Sequence, residues 1–396
     1  CTEITLNTSA EETAVCNLGS INLTEHVIEG KLDRDLVAQT TKTAMRMLDN
    51  VIDLNFYPTV EAENSNKRHR PVGLGIMGLQ DALYMMNMPF DSDEAVKFSD
   101  EMMEFISYHA ILSSSVLAQE RGKYESYEGS KWDRNLFPID TLKMMEEERG
   151  VETGVDMQAR MDWTKVREHV KEHGMRNSNC MAIAPTATIS NIAGSFPTIE
   201  PIYKNVYVKS NETGEFTVIN RYLVEELQER GLWDEEMLEK IKHSDGSVEP
   251  INEIPHDLKA KFKEVFEIDP IWILKHAALR GKWIDQSQSV NIFMKSTSGK
   301  RLSEVYANAW RMGLKTTYYL RSLGASAIEK SSLDIIKHNA APASAEATAG
   351  KPEALDTVPV VAIAAPEPTP VMAPAFAKAT ADKTAPSLPP ALHIVD

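Results

Sequence analysis

Two thiols and a carboxylate stand close together at the start of the chain, in the stretch CTEITLNTSAEETAVCNLGSINL. Alternate residues of an extended segment face the same side, so Cys1 and Glu3 present a sulfur and a carboxylate to one space. The polar run NTSAEE lets the chain turn back and bring Cys16 near. Taken alone, these residues leave two interpretations open, a reactive thiol beside an acid–base group or small buried cysteines in a core.

Two further stretches place hydroxyl groups at regular spacing. The stretch LKTTYYLRSL sets Tyr318 beside Tyr319, and adjacent residues on a strand normally point to opposite faces. The stretch APTATIS places hydroxyls on Thr186, Thr188 and Ser190 ahead of NIAGS. Hydroxyls and free backbone N–H groups at a helix start bind phosphate well, although alternating threonines are also typical of a strand face.

Two other patterns are weak signals. Gly73, Gly75 and Gly78 satisfy G-x-G-x-x-G, but the preceding NSNKRHRP is too polar for the buried strand of a dinucleotide site. Close packing of a strand against a helix explains these glycines better. His169 and His173 stand four apart on a predicted helix without a third ligand nearby, which favours a solvated helix face. The sequence therefore predicts no metal site.

The composition limits the function class. Hydrophobic residues at 42% and charged residues at 25% are values of globular proteins, and no apolar run is long enough for a bilayer. The net charge of −16 argues against a nucleic-acid or membrane-binding face, while still allowing a local pocket for a phosphorylated substrate. An odd count of three cysteines favours free thiols in a reducing compartment, so we expect a cytoplasmic protein.

The elements that must position these residues alternate between helices and short strands. Helical periodicity predicts helices near residues 32–54, 93–120, 163–172, 220–230, 256–266, 271–280 and 302–312. Short apolar or β-branched runs predict strands at residues 13–18, 72–77, 180–190, 289–294 and 316–321. This alternation indicates one α/β body with a parallel sheet over residues 1–338. Residues 339–396 are rich in Ala and Pro, which predicts a flexible tail.

Four stretches together resemble a known family. They are LKTTYYLRSLGASAIEKSS, MRNSNCMAIAPTATISNIAGSFPTIEPIY, RPVGLGIMGLQDALY and WIDQSQSVNIF, and they occur in the family's order. With the opening stretch, they make nearly all of residues 1–332 similar to the large (alpha) subunit of class I ribonucleotide reductase. That resemblance implies thiyl-radical reduction of ribonucleoside diphosphates to deoxyribonucleoside diphosphates, which supplies DNA precursors.

The resemblance assigns roles to the opening residues and the tyrosines. Cys1 matches the finger-loop cysteine, whose thiyl radical removes the 3′ hydrogen of the substrate. Glu3 matches the carboxylate that takes the 3′ hydroxyl proton. Cys16 matches one of two thiols that supply the reducing electrons and end as a disulfide. Tyr318 and Tyr319 match the relay that brings the radical from a separate subunit.

The resemblance also assigns the substrate site and the partners. Pro185, Thr186, Ala187, Thr188 and Ile189 match the loop that binds the substrate diphosphate, while Cys180 has no counterpart in the chemistry. The implied fold is the second half of a ten-stranded α/β barrel with its finger loop. No cofactor is implied for this chain, since the radical comes from a metal-containing beta subunit and ATP or dNTP effectors bind parts expected before Cys1. The other implied partners are a second alpha subunit and thioredoxin or glutaredoxin.

Several family features are not found in this sequence. They include the first half of the barrel, the thiol that pairs with Cys16, and the cysteine pair that the family carries in its tail. We therefore expect the isolated chain to be inactive. An inactive remnant or assembly module that folds only with a complementary chain is the alternative, and a cobalamin-dependent relative is a weaker one. The start at Cys1 fits both protein splicing after an intein and simple truncation.

Overall fold

The computed structural model describes residues 1–211, 214–295 and 298–322. The predicted tail and the preceding residues 323–338 lie outside this described part. Among the described residues, no helix combines the length and apolarity needed to cross a membrane.

Strands and helices alternate along the chain, as the sequence predicts for a mixed α/β protein. The strands are β1 (Asn17–Asn22), β2 (Val27–Ile28), β3 (Lys31–Leu32), β4 (Val72–Met77), β5 (Val206–Asn211), β6 (Gly214–Ile219), β7 (Ile292–Met294) and β8 (Leu320–Ser322). The helices are α1 (Arg34–Leu54), α2 (Val60–His69), α3 (Leu79–Met85), α4 (Asp93–Arg121), α5 (Pro138–Arg149), α6 (Trp163–His173), α7 (Ile189–Ala193), α8 (Arg221–Glu229), α9 (Glu235–His243), α10 (His256–Lys261), α11 (Pro270–Gly281) and α12 (Gly299–Arg311). Single 3₁₀ turns occur at Leu23–His26 and Val265–Glu267.

Five parallel segments form the centre of the fold. β1 pairs with β4 in parallel, from Asn17 opposite Val72 onward. β4 is bridged in parallel to Met181, and Ile183 is bridged in parallel to Gln288. The chain then continues into β7, which pairs in parallel with β8. Within the described residues the array is open rather than closed into a barrel.

Helix α4 is the main packing partner of the other helices. It contacts α1, α6 and α11, and most of its side chains are buried. The Ser92 hydroxyl caps its start by accepting from Ala95 N at 3.1 Å, and the helix ends at Gly122. Residues from these helices and from the parallel strands belong to one hydrophobic core. The sheet is thus held in place by a layer of helices.

Two glycines of β4 allow neighbouring chain segments to approach closely. A Cβ on Gly73 would lie 2.8 Å from Ala182 Cβ and 3.2 Å from Cys16 Sγ. A Cβ on Gly75 would lie 2.5 Å from the carbonyl oxygen of Ala182, where no such contact is tolerated. The glycines therefore serve packing, as predicted, but the partner is the adjacent strand segment rather than a helix.

Four of the predicted strands differ from the observed ones, and the one predicted at 289–294 is shortened to β7 (Ile292–Met294). The strand predicted at 13–18 begins instead at Asn17, because Thr13 N donates to Glu61 O of α2 at 3.1 Å. The strand predicted at 180–190 pairs only at Met181 and Ile183 and then gives way to α7. Pro185 has no N–H to continue the ladder, which explains the early end. The last predicted strand, 316–321, also differs, because only its end belongs to β8.

Candidate active site

The opening segment runs along the strand segment 286–289. Thr5 N donates to the side-chain oxygen of Gln286 at 3.3 Å, and Ser287 N donates to Glu3 O at 2.9 Å. Thr2 N donates to Ser289 Oγ at 3.0 Å. Three successive hydrogen bonds therefore fix the register of the segment that carries Cys1, whose own side chain is exposed.

The Glu3 carboxyl group is buried beside a hydroxyl donor. Its side chain is 1% exposed, and Ser289 Oγ donates to Glu3 Oε2 at 2.5 Å. A buried carboxylate needs such a donor, because leaving it unpaired would cost its full desolvation energy.

Cys16 is half-buried and lies directly before β1. Gln286 Nε2 donates to Cys16 Sγ at 3.3 Å. Burial raises the pKa of this thiol to about 12; the Gln286 hydrogen bond opposes the rise, and the charges of Asp285 and Glu3 add to it. At neutral pH the group is a protonated thiol that carries a transferable hydrogen.

Cys180 lies in the hydrophobic core with no exposed surface. Burial raises its pKa well above the usual range. Its backbone N–H donates to Asp285 Oδ2 at 2.6 Å, and Met181 N donates to the other oxygen of the same carboxyl group. Cys180 thus occupies a structural position directly before Met181 and Ile183, which bridge to Leu74 and Gln288.

The two tyrosine rings lie together just before β8. Their centroids are 3.9 Å apart, with 37° between the ring planes. Tyr318 N donates to Val290 O at 2.7 Å, and Ile292 N donates to Tyr319 O at 2.8 Å. A hydrogen bond with Tyr319 is the main cause that raises the pKa of the Tyr318 phenol, and the charge of Glu3 contributes in the same direction.

The loop after Ile183 combines buried and exposed hydroxyls. Thr186 is 1% exposed; its hydroxyl oxygen accepts from Thr198 N at 2.7 Å, and its carbonyl oxygen accepts from Ser190 N at 2.9 Å. Residues 187–189 are exposed, and α7 begins at Ile189. The strand alternation considered for Thr186, Thr188 and Ser190 is therefore replaced by a turn that leads into a short helix.

A buried carboxyl group connects this loop to the central strand segment. Thr198 adopts a left-handed φ of +53°, unusual for a β-branched residue, and its hydroxyl donates to Glu200. Asn291 Nδ2 donates to the other Glu200 oxygen at 3.2 Å. Burial raises the pKa of Glu200. The loop carrying Thr186 and the strand beside Glu3 thus share one hydrogen-bonded network.

Sequence reasoning missed two residues of this arrangement, Gln286 and Ser289. Both lie in the stretch WIDQSQSVNIF, where polar side chains interrupt a segment that must be buried in a parallel sheet. Buried polar groups need partners, so this interruption is the signal that points to them.

The described residues contain no group of three or more His, Cys, Asp or Glu side chains placed to hold a metal ion. The rings of His169 and His173 lie 4.6 Å apart, but His169 Nδ1 is 2.8 Å from the Ser115 hydroxyl. Both histidines are half-buried, so they lie only partly on the solvated helix face that the sequence predicts.

Comparisons with known proteins agree with the arrangement. The family described as ribonucleotide reductase, barrel domain, matches residues 1–320. The chain is 55% identical over 343 residues to a ribonucleoside-diphosphate reductase subunit alpha of Chlamydia pneumoniae, covering 86% of this chain and 33% of that protein. It is 43% identical over 324 residues to a ribonucleoside-diphosphate reductase large subunit of Danio rerio, covering 81% and 39% respectively.

One solved structure is also similar to this chain. The Actinobacillus ureae class Id ribonucleotide reductase alpha subunit is similar with a TM-score of 0.63 and 28% identity, covering 82% of this chain and 53% of that one. The chain spans only about a third to two fifths of the length of the two curated relatives. Sequence and structure agree that the chain belongs to the ribonucleotide reductase family and matches its barrel domain over residues 1–320.

Proposed function

We propose that this chain carries the catalytic part of a class I ribonucleoside-diphosphate reductase alpha subunit. The observation that supports this most strongly is the convergence on one strand segment, residues 286–292. Glu3 is hydrogen-bonded to Ser289, Cys16 to Gln286, and the Tyr318–Tyr319 pair to the backbone of residues 290 and 292. The proposed base, a thiol and two phenol-bearing residues are thus all hydrogen-bonded to this one segment.

In this proposal Cys1 starts the reaction as a thiyl radical. The sulfur takes the hydrogen atom from C3′ of the ribose, which forms an S–H bond and leaves a carbon radical on the sugar. Glu3 accepts the proton of the 3′ hydroxyl as general base. The 2′ oxygen takes a proton from one of two reducing thiols and leaves as water, and C2′ takes the hydrogen of the other thiol as the pair closes to a disulfide. Glu3 then returns its proton to the 3′ oxygen, and Cys1 returns its hydrogen atom to C3′.

The electrons for this reduction come from two thiols. Cys16 is one of them, and its high pKa suits a group that must deliver a hydrogen rather than act as a thiolate. The second thiol would come from another part of the reductase, since Cys180 is enclosed in the core. In sum, one ribonucleotide and two thiols give one deoxyribonucleotide, one water and one disulfide, which thioredoxin or glutaredoxin would reduce again.

The tyrosine pair would connect Cys1 to a metal-containing beta subunit. A phenol gives up an electron and a proton together, so two phenol rings in contact suit stepwise transfer of a radical. Tyr319 is 53% exposed and Tyr318 is less so, which matches a path from a surface toward the site. A cobalamin-dependent relative would not need this pair.

The loop of Pro185, Thr186, Ala187, Thr188 and Ile189 would bind the substrate diphosphate. Its exposed backbone precedes α7, and Thr188 makes no capping hydrogen bond with its side chain. Its hydroxyl thus remains available to a phosphate oxygen. The buried Thr186 would hold the loop in shape rather than contact the ligand.

The remaining expectations belong to the assembled enzyme. We propose that the five parallel segments form the second half of the ten-stranded barrel, that a second alpha subunit completes a dimer in the cytoplasm, and that ATP and dNTP effectors bind other parts of the protein. The isolated chain would then be inactive.

Reconstitution tests the function. The chain is combined with the remaining alpha-subunit sequence of a close relative and with its beta subunit, and deoxynucleotide formation is measured. We expect activity that Cys1→Ser abolishes and that Cys180→Ala retains. Activity in the Cys1→Ser variant would overturn the proposal, and an assembled but inactive complex would favour the assembly module.

A further inference from the structure

Two buried side chains of the central strand segment touch the reacting groups without a role in the chemistry. They are Gln286, which has no exposed surface, and Ser289, which is 1% exposed. We propose that Gln286 and Ser289 are positioning residues that hold Glu3 and Cys16 in a fixed relation to each other. This inference rests on the proposed function.

The Gln286 amide joins three separate parts of the chain. Its oxygen accepts from Thr5 N at 3.3 Å, on the opening segment. Its nitrogen donates to Cys16 Sγ at 3.3 Å and to Val72 O of β4 at 3.1 Å. An amide has one acceptor and two donor hydrogens, so all three functions are used at once. The Gln286 amide therefore connects the opening segment directly to the Cys16 sulfur.

Ser289 performs the corresponding task for the carboxyl group. Its oxygen accepts from Thr2 N at 3.0 Å, and its hydrogen is donated to Glu3 Oε2 at 2.5 Å. The Ser289 hydroxyl therefore fixes both the position of the backbone beside Cys1 and the orientation of the Glu3 carboxyl group. An acid–base group must lie within hydrogen-bond distance of its proton, and small displacements reduce the rate strongly.

The segment that carries both side chains is itself fixed on two sides. Ile183 N donates to Ser287 O at 3.0 Å, and Ser289 N donates to Ile183 O at 2.9 Å. On the other side, Tyr318 N donates to Val290 O at 2.7 Å. Side chains on a strand paired with two neighbours keep their positions better than side chains on a loop. The strand therefore fixes the distance between thiol and base.

The first test measures amide hydrogen exchange of the opening segment in the full chain. Gln286→Leu removes the acceptor for Thr5 N, so exchange at this amide should become at least about tenfold faster. Gln80→Leu is the matched control, because Gln80 is also buried and its side-chain nitrogen has no partner among the described residues. Unchanged exchange at Thr5 in a folded Gln286→Leu chain would overturn the role of Gln286.

Gln286→Glu tests the amide nitrogen of Gln286 separately from its oxygen. A carboxylate keeps an acceptor for Thr5 N but loses the donors to Cys16 Sγ and to Val72 O, so Thr5 should stay protected. Alkylation of Cys16 by iodoacetamide at pH 8.5 should slow at least about fivefold, because a nearby negative charge opposes the thiolate. Alkylation as fast as in the parent chain would contradict the contact between Gln286 and the sulfur.

The second test uses the reconstituted reductase. Ser289→Ala should lower kcat at least about tenfold with KM nearly unchanged, while Ser289→Thr, which keeps the hydroxyl, should restore most of kcat. Ser107→Ala is the matched control, since Ser107 is a buried serine that donates to Trp283 O away from the site. A Ser289→Ala enzyme with the parent kcat would overturn the role of Ser289. An enzyme active with Cys1→Ser would instead overturn the proposed function and leave the exchange result standing.

Discussion

The rings of Tyr318 and Tyr319 lie in contact, with centroids 3.9 Å apart and a tilt of 37° between the ring planes, although neighbouring residues on a regular strand point to opposite faces. The contact is possible because both residues lie just before β8, where the regular strand has not yet begun. Backbone hydrogen bonds to residues 290 and 292 hold the pair against the strand that also contacts Glu3. The tyrosine pair is therefore anchored to the same strand as the base.

We first predict that each ring is needed for reduction by the assembled enzyme. Tyr318→Phe and Tyr319→Phe keep the ring contact but remove the hydroxyl that exchanges a proton with the electron. Deoxynucleotide formation should fall at least about a hundredfold in each variant, or roughly 2.7 kcal/mol in the activation barrier. The measurement is turnover of the reconstituted holoenzyme at saturating substrate.

Tyr306→Phe is the control for this pair, because Tyr306 is partly buried on α12 and packs against the core. The Tyr306→Phe enzyme should form deoxynucleotide at the rate of the parent enzyme. Equal activity in the Tyr318→Phe variant would remove the relay from the proposal.

The second prediction concerns the three thiols of the chain. With a pKa of about 12, Cys16 should contain roughly a thousandfold less thiolate at pH 8 than an ordinary cysteine of pKa 9.0. Iodoacetamide should therefore label exposed Cys1 first, Cys16 much more slowly, and buried Cys180 only after unfolding. Between pH 7 and 9.5 the rate of alkylation at Cys16 should rise about tenfold per pH unit. Mass spectrometry of the labelled protein measures this rate. A plateau below pH 9 would contradict the raised pKa.

The sequence predicts those elements whose apolar pattern is strong. The strand at residues 72–77 and the helix predicted at 32–54, observed as α1, are found nearly as expected, because a buried run and a long amphipathic face each have a clear periodicity. Helices α5 and α9 were missed, since both are rich in charge. Their capping signals were present in the sequence: Pro138 at the start and Gly150 after the end of α5, and Asp234 before α9.

The site is harder to predict than the fold. The spacing of Cys1 and Glu3 is local and was visible in the sequence, but the contact of Glu3 with Ser289 joins residues 286 positions apart. Such a contact depends on how the opening segment passes the central strands, which no local pattern specifies. The same holds for Gln286 and Cys16, which meet only because both lie beside β4.

The third prediction tests the close approach at β4. Gly75→Ala places a Cβ 2.5 Å from the backbone oxygen of Ala182, so a strand must move. We expect a loss of about 1–3 kcal/mol in the free energy of unfolding, measured by urea denaturation. Gly299→Ala is the control, because no other heavy atom of the described residues, apart from its chain neighbours and its own helix backbone, lies within 4 Å of the added Cβ. Equal stability of the two variants would mean that the strands are not in close contact.

The fourth prediction is a dependence of stability on pH at His276. This side chain has no exposed surface, and it lies 2.8 Å from Ser99 Oγ and 2.9 Å from Phe90 O. Burial lowers its pKa from 6.5 to about 3, so the folded state keeps it neutral while the unfolded state binds a proton below pH 6.5. Its contribution to stability is therefore complete above pH 6.5 and is lost as pH falls toward 3.

His276→Gln isolates this effect, because glutamine supplies polar atoms without titrating. Below pH 6.5 the parent chain should lose about 1.4 kcal/mol per pH unit more than the variant. Urea denaturation at pH 7, 6 and 5 provides the comparison. Parallel pH profiles would show that His276 becomes charged in the folded state.

The fifth prediction separates the two threonines of the proposed diphosphate loop. Thr186→Val leaves the buried N–H of Thr198 without its acceptor, so the free energy of unfolding should fall by about 1–3 kcal/mol. Thr186→Ser keeps the oxygen and should recover most of that loss. Thr188→Val removes an exposed hydroxyl and should leave stability unchanged, but it should raise KM for the ribonucleoside diphosphate in the reconstituted enzyme. The two residues differ because one hydroxyl is already bonded inside the protein and the other faces solvent. A Thr188→Val enzyme with unchanged KM would argue against phosphate binding at this loop, whereas a stable Thr186→Val chain would contradict only the internal hydrogen bond.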